Sequence, residues 1–290
     1  VLSGNFTFGL NKMVVDKLND TDDVIWDQND RWKSSYNDYC LRVGDQLGLI
    51  YGFVYDGIYS IDEFNFDPNQ NFLAIPKEGT VINTVFSNST SGEPTLPGKI
   101  KFKDLNNDGV IDENDRTVIG NTNPKFQGGF GFNGQWKNLN YMYDFDVNNA
   151  TAYQLSSAEG NNKKFYNVLS KFKDSWHYFN PVDGDNYYKN YWVDNTVDVY
   201  RAANANVTLW NPTDVTNKVT HSYFIEDGSF LRCQDITIGY TLPSQLTKKW
   251  GMSKVRFYAS ASNLFIITGY SGCDPEVDVQ TGLTCGMDYN

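Results

Sequence analysis

The chain has 290 residues, 35 of them acidic and 24 basic, for a formal net charge of −11, and 16% of its residues are aromatic. An acidic balance of this size argues against nucleic acid as a partner, because phosphate backbones are bound by excess Lys and Arg. Mean hydropathy is −0.50 and no apolar stretch approaches the length of a helical membrane span, a test that strands alternating across a bilayer escape.

In chain order, Val1-Leu2-Ser3-Gly4-Asn5 carries neither a charged n-region nor an apolar h-region, so Val1 is read as an internal start. From Asn5 to Asn11 the pattern has period two, Phe6, Phe8 and Leu10 opposing Asn5, Thr7, Gly9 and Asn11. A long connection, Asp16 to Leu41, follows where a short turn is expected. Alternation returns at Lys99-Ile100-Lys101-Phe102-Lys103, which predicts a strand leading into an acidic loop.

That loop, Asp104 to Asp115, places oxygen-bearing residues at positions 1, 3, 5, 9 and 12, with Gly109 at 6 and Ile111 at 8. The spacing is that by which a short loop wraps a hard cation such as calcium. Asp104, Asn106 and Asp108 would give side-chain oxygens and Val110 its carbonyl, while Asp112 would act directly or through water and Asp115 would close the shell. Four carboxylates so close repel one another without a cation. An Asx-turn-rich surface loop is the other reading of the same residues. Position 12 is Asp rather than a longer Glu, and no amphipathic helix flanks the loop. The expectation is therefore a calcium ion that staples a loop between strands rather than one that triggers a movement.

Beyond it, Phe126, Phe130, Phe132 and Trp136 oppose Gln127, Gly129, Gly131, Asn133 and Gln135. Lys137-Asn138-Leu139 is a tight turn, after which Tyr141, Tyr143, Phe145 and Val147 oppose Asn140, Met142, Asp144 and Asp146. Within the excursion from Asn148 to Gly228, Phe165, Leu169, Phe172 and Trp176 recur at helical spacing and predict a short helix. Tyr187, Tyr188, Tyr191, Trp192 and Trp210 are candidate substrate contacts, since flat aromatic faces beside amides and acids suit sugar rings or peptide side chains. Packing within the loops competes with that role for each of them. Two more strands follow, Ile236, Ile238 and Tyr240 opposing Asp235, Thr237 and Gly239, then Val255, Phe257, Ala259 and Ala261 opposing Arg256, Tyr258, Ser260 and Ser262. A modest turn from Leu242 to Ser253 joins them.

The four cysteines form no CxxC pair and lie far in sequence from His177 and His221, which argues against zinc. Cys273 and Cys285 bracket a short polar loop and are the candidate disulfide in an oxidising compartment. Cys233 falls inside a strand pattern and reads as a small buried or lipid-facing residue. Acidic pairs such as Asp183/Asp185 and Glu226/Asp227 read as solvated turns, and nothing pairs an acid with a base or nucleophile, so no enzyme is expected.

Alternation alone fits a membrane barrel or a soluble sandwich. Connection lengths separate them. Short turns on one rim contrast with excursions from Ser60 to Lys125, Asn148 to Gly228 and Thr268 onward, and one rim of long loops is the habit of outer-membrane barrels. The fold expected is all-β: the C-terminal part of a large antiparallel transmembrane β-barrel with long extracellular loops at 60–125 and 149–228. The competing reading is a secreted, calcium-stapled β-sandwich that binds carbohydrate.

Four blocks, in order, resemble SusC/RagA-type TonB-dependent outer-membrane transporters. Gly44 to Tyr59 is similar to that family's G-x-P-x-G-x-x-Y-G-Y-x-x-D-G-I-F/Y strand, without its usual proline. Pro97 to Phe126 resembles its P-G-D-I-K-x-x-D-x-N-x-D-G-x-I-D-x-x-D-R signature and the following I-G-N-P-x-P. Phe230 to Pro243 is similar to its Y-L-R-L-K-N-V-T-L-G-Y-T-L-P strand, and Val255 to Phe265, with Tyr270 to Val277, resembles its N-L-F strand and D-P-E loop. The family's plug, TonB box and last strand have no counterpart here, so the resemblance implies about six of roughly 22 strands. It further implies location in the outer membrane of a Gram-negative bacterium and energised import of oligosaccharides or peptides. A SusD-like lipoprotein would cap the mouth, TonB would act through a part not among these residues, and outer-membrane lipid would surround the strands.

Overall fold

The structure is a computed structural model that describes residues 1–19, 23–27, 36–67, 69, 73–85, 95–136, 139–149, 151–154, 175–176, 194–210, 219–272, 274–276 and 287–288. Its longest strands are the alternating segments themselves. They are β1 (Leu2–Gly9), β2 (Phe126–Trp136), β3 (Leu139–Asn149), β4 (Phe230–Thr241) and β5 (Arg256–Thr268). They form one antiparallel sheet in the order β1-β2-β3-β4-β5, the meander expected when neighbours in sequence pair as neighbours in space.

Because side chains alternate across a strand, register decides which rows share a face. One row runs Gly4, Phe132, Tyr143, Ile236 and Ala261, and a second runs Phe6, Phe130, Phe145, Cys233 and Phe265. The row beside the first is polar except for Met142: Ser3, Asn133, Met142, Thr237 and Ser260. The apolar rows are laid bare, Phe6 73%, Phe132 48%, Ile238 48% and Phe257 63% exposed, and among the described residues no second layer covers them. A β-sandwich would bury such a face against another sheet.

Simple alternation fails at one place. Register shifts between Cys233 and Asp235, where Gln234 is the extra residue against β3, while Asn263 and Leu264 are fitted in on β5 with Asn263 at φ 51°. A bulge reverses the parity beyond it. It brings Leu231 and Cys233 onto the same face as Ile236 and Ile238, a continuity that strict alternation along β4 would break, while β5 keeps Phe257, Phe265 and Ile267 on that face without a change of parity. Cys233 is fully buried as a free thiol.

The connections leave the two rims unequally. Two residues separate β2 from β3, and β4 joins β5 through a turn holding α2 (Ser244–Lys249). From the other rim depart residues 10–125, 150–229 and the stretch after Thr268. These excursions fold into small sheets of their own. Arg116–Asn121, Leu49–Phe53, Tyr39–Arg42 and Val24–Asp27 make a four-stranded sheet, Tyr55–Ile58 pairs with Ile100–Phe102, and Phe64–Asp67 pairs with Leu73–Pro76. Thr151–Gln154 pairs with Ile225–Asp227 and with Met287–Asp288. One core gathers Tyr39, Ile50, Phe53, Ile100, Phe102, Ile111, Trp210, Val219 and Phe224. A second holds Tyr59, Ile61, Phe64, Ala74, Leu96 and Trp176.

This loop body corrects two expectations. The barrel sheet has five strands among the described residues rather than about six, because Gly44–Tyr59 breaks into Leu49–Phe53 and Tyr55–Ile58 and pairs within the loop body instead. That is also why Asp16 to Leu41 looked too long for a turn: it lies inside an excursion that begins at residue 10. The helix expected from Phe165 to Trp176 falls outside the described residues apart from Ser175 and Trp176, where Ser175 bridges Leu209. A helix that the pattern did not suggest, α1, spans Asp194–Ala203.

The apolar rows predict a lipid-facing side. In the intact protein an arginine at Phe132, midway along β2 and so near mid-membrane, is expected to cost about 2–4 kcal/mol, and an arginine at its neighbour Asn133, on the opposite face at the same depth, clearly less. Refolding equilibria in bilayers measure both, and equal costs or the reverse order would overturn the assignment of faces.

Candidate functional site: the acidic loop and the aromatic core behind it

The loop 104–115 begins where Ile100–Phe102 ends and finishes where Arg116–Asn121 starts, so both ends are held by strands. Its backbone is wound on its own side chains. Asp104 accepts the Asn107 N–H at 2.6 Å and the Gly109 N–H at 2.8 Å. Asn106 Oδ1 accepts the Asp108 N–H at 2.9 Å while its Nδ2 donates to Asp108 Oδ2 at 2.9 Å. Asp108 Oδ1 accepts the Val110 N–H at 2.9 Å. Asn107 at φ 61° and Gly109 at φ 84° make the left-handed turns this winding needs.

Asp112 caps a single 3-10 turn, Glu113–Asp115, by accepting the Asn114 N–H at 2.7 Å. Asp115 closes the loop: Oδ1 accepts the Leu105 N–H at 2.8 Å and Oδ2 the Asp112 N–H at 2.9 Å, and the residue is fully buried. A buried carboxylate with two backbone donors is satisfied, and losing it would strand both. All six candidate ligands, Asp104, Asn106, Asp108, Val110, Asp112 and Asp115, thus lie on one tight loop of hard oxygen donors. Among the described residues no three acidic, histidine or cysteine side chains converge on a common point. The chemistry of the donor set fits a hard cation, and the carboxylate oxygens are turned to the loop's own N–H groups.

The loop is anchored from behind. Val110–Ile111 pairs in parallel with Ile82–Asn83, Ile82 N donates to Gly109 O at 2.9 Å, and Thr84 donates to Ile111 O through N at 3.0 Å and Oγ1 at 2.9 Å. Ile111 itself is fully buried in the first core. Arg116, directly after the loop, sets its guanidinium over the rings of Trp26, Tyr36 and Tyr51 at 5.5, 5.3 and 5.0 Å. It also donates to the carbonyls of Asn37 and, at 3.4 Å, Tyr51. Burial lowers its pKa from the ordinary guanidinium value, a cost that cation–π contacts offset. Sequence reading missed this aromatic seat; the adjacent Asp115-Arg116 pair was the signal, and its aromatic partners come from three separate segments.

The aromatic core holds a second residue that sequence reading passed over. His221 is fully buried, and its ring lies 4.4 Å from that of Phe224, 5.5 Å from Phe102, 5.7 Å from Trp210 and 6.0 Å from Tyr55. Among the described residues neither ring nitrogen finds a hydrogen-bond partner. Its segment is strapped to the strand beside it: Phe53 N donates to Thr220 O at 3.0 Å and Tyr55 N to Ser222 Oγ at 2.9 Å. Gly52 permits that approach, since a Cβ there would meet Thr220 O at 2.3 Å.

The same core corrects a candidate substrate contact. Trp210 is 0% exposed and packs edge-on against Tyr55, Tyr223 and Phe224, so it is a packing residue and not a surface for ligand. Tyr187, Tyr188, Tyr191 and Trp192 lie outside the described residues, as do Cys273 and Cys285. At the rim, Arg232 of β4 pairs with Asp274 at 2.6 Å and Glu276 at 3.3 Å, tying the D-P-E loop to the sheet.

Burial pushes the His221 pKa down to about 3, against about 6.5 in an unfolded chain. Its contribution to stability is therefore complete above pH 6.5 and is lost progressively as pH falls from 6.5 toward 3, by up to about 1.4 kcal/mol per pH unit. Hydrogen exchange over residues 219–227 of the intact protein should quicken between pH 6.5 and 5.0 relative to base-catalysed chemistry. His221→Phe should remove that acceleration, and equal sensitivity in the variant would assign the effect to other groups.

No protein-family model matches the chain. It is 27% identical over 98% of its length to TonB-dependent receptor P3 of Formosa agariphila, and 27% identical over 82% to TonB-dependent receptor P39 of the same organism. Over 56 residues, 19% of the chain, it is 46% identical to the TonB-dependent receptor SusC of Bacteroides thetaiotaomicron. The chain spans about a quarter of the length of the first two, 24% and 23%. In fold it is similar to the RagAB peptide importer, with a TM-score of 0.60 to the open-open state and 0.61 to the closed-closed state, each covering 99% of this chain at 17% and 16% identity. Those solved chains are covered to 24% and 25%. The resemblance carried by the four sequence blocks thus holds from end to end, and the chain is similar in sequence and in fold to a portion of the barrel of SusC/RagA-type TonB-dependent receptors.

Proposed function

We propose that these residues form part of the barrel wall and the external loops of an outer-membrane importer driven through TonB. The observation that carries this reading is the asymmetry of the sheet. Its apolar rows are bare, its short turns share one rim, and its long excursions leave the other and fold into a body of their own. A lipid-embedded barrel needs that arrangement, whereas a secreted sandwich would need a second sheet over the apolar rows. Relatives named as TonB-dependent receptors and a structural neighbour titled a peptide importer support the same reading. They are receptors and importers by name, and no catalytic role is proposed for this chain.

In this reading the loop-bearing rim lies outside the cell. A SusD-like lipoprotein caps it, oligosaccharide or peptide is held between cap and barrel, and TonB engages a part of the protein other than these residues. Purification of the intact protein from solubilised outer membranes should recover a SusD-like lipoprotein at comparable abundance. Recovery alone, in detergents that preserve such complexes, would count heavily against the cap. Growth of a deletion strain on single glycans and on peptide mixtures identifies the cargo, and a defect on neither removes support for import.

The loop 104–115 is proposed to take calcium through Asp104, Asn106, Asp108, the Val110 carbonyl, Asp112 and Asp115. Bound there, the ion would neutralise four carboxylates that otherwise repel within one turn. Calorimetry on the intact protein should find a site that disappears in Asp104→Ala and in Asp108→Ala, and unchanged binding in both variants would sink the assignment. With strands rather than helices at both ends, ordering should stay within residues 60–125.

A further inference from the structure

The chain is strongly acidic, yet from Ile236 to Cys273 it contains no Asp or Glu, and Lys248, Lys249, Lys254 and Arg256 all fall within the turn between β4 and β5 or at its edge. The local structure separates these four. The Arg256 guanidinium lies across Gly239, where a Cβ would meet its Nη2 at 2.8 Å, so it is laid against the sheet. The three lysines remain on the turn itself, where all are exposed.

The turn has a fixed shape. Thr247 is fully buried beneath it, its Oγ1 donating to Ser244 O at 3.3 Å and its carbonyl accepting the N–H groups of Trp250 and Met252, both at 3.0 Å. Gly251, at φ 70°, ends α2, and Leu242 N donates to Val255 O at 2.9 Å across the base. What this scaffold presents is apolar: Leu246 44%, Trp250 60% and Met252 42% exposed, with Leu246 and Trp250 one helical turn apart. The pair Tyr240 and Phe257, 44% and 63% exposed, carries the bare apolar face of the sheet up to the base of this turn.

We propose that this turn is a docking site for anionic phospholipid headgroups of the periplasmic leaflet. Lys248, Lys249 and Lys254 meet the phosphates, and Leu246, Trp250 and Met252 sit at the boundary between headgroup and acyl chain. The inference rests on the barrel reading above, which puts the short-turn rim on the periplasmic side. Charge selects the lipid: three ammonium groups in a segment whose sequence carries no Asp or Glu favour an anionic over a zwitterionic surface. Lysine stems can cover apolar surface while their heads stay wet, and an indole suits the same boundary. Continuity with the lipid-facing rows favours lipid over a soluble protein, which would abandon that face at the base of the turn.

The test uses the intact protein in detergent, titrated with phosphatidylglycerol or phosphatidylcholine, with bound lipids counted by native mass spectrometry. Phosphatidylglycerol should be retained preferentially, and Lys248→Gln, Lys249→Gln and Lys254→Gln together should erase a preference worth roughly fivefold per lysine, on the order of a hundredfold in all. Trp250→Ala should lower retention of both lipids, while resistance to unfolding in cold SDS stays at the wild-type level in every variant. Equal retention of the two lipids by the wild type, a preference that survives the triple substitution, or displacement by millimolar inorganic phosphate would overturn the proposal. A protein that stays soluble without detergent would overturn the barrel reading itself, so the two failures are distinct.

Discussion

The antiparallel register of the five long strands is the constraint on which the rest depends. Each backbone N–H and C=O inside a bilayer needs a partner within the sheet, so a strand cannot slip by one residue without turning its whole apolar set to the wrong side. The rows through Phe132 and Phe130 extend across the sheet only because the extra residue Gln234 realigns the two halves of β4, whose alternations are out of phase. A bulge that looks like a defect in one strand is what makes the face continuous. The same register sends every long excursion to one rim and every short turn to the other.

Those excursions are long enough to need cores of their own. Aromatic residues supply them, since rings bury much area with few rotatable bonds. Around Trp210 and His221 the rings meet mostly edge to face or tilted, and the imidazole is retained there in its neutral form by burial alone. The acidic loop is braced against this core by Ile111 and against the four-stranded sheet by Arg116. Its carboxylates therefore shape the backbone first, through Asx-type bonds at Asp104, Asp108 and Asp112 and the closing bonds of Asp115.

Charge is distributed unevenly along this architecture. Acidic side chains crowd the loop around residues 104–115, where backbone donors answer them, while the segment from Ile236 to Cys273 carries only basic groups. Bases at one rim and acids in the loops beyond the other leave the sheet between them nearly free of uncompensated charge on its apolar face, as a wall between two polar compartments requires.

The sequence by itself determined the strands, their two faces and the acidic loop, because period-two alternation and ligand spacing are local properties that neighbouring residues carry together. Asn133, Thr237 and Ser260 could be placed on one face from their own strands, and the cross-strand rows then united them. The tertiary structure alone decided what non-local pairing governs. Gly44–Tyr59 reads as a strand but its partners are Ile100–Phe102, Arg116–Asn121 and Tyr39–Arg42 rather than a barrel neighbour. Trp210 has the composition of a ligand contact and is buried, and Arg116 looks like an ordinary surface arginine until Trp26, Tyr36 and Tyr51 close around it. His221 gave no local sign at all. Its environment is assembled from segments more than a hundred residues apart, and no window of sequence contains the desolvation that holds it neutral.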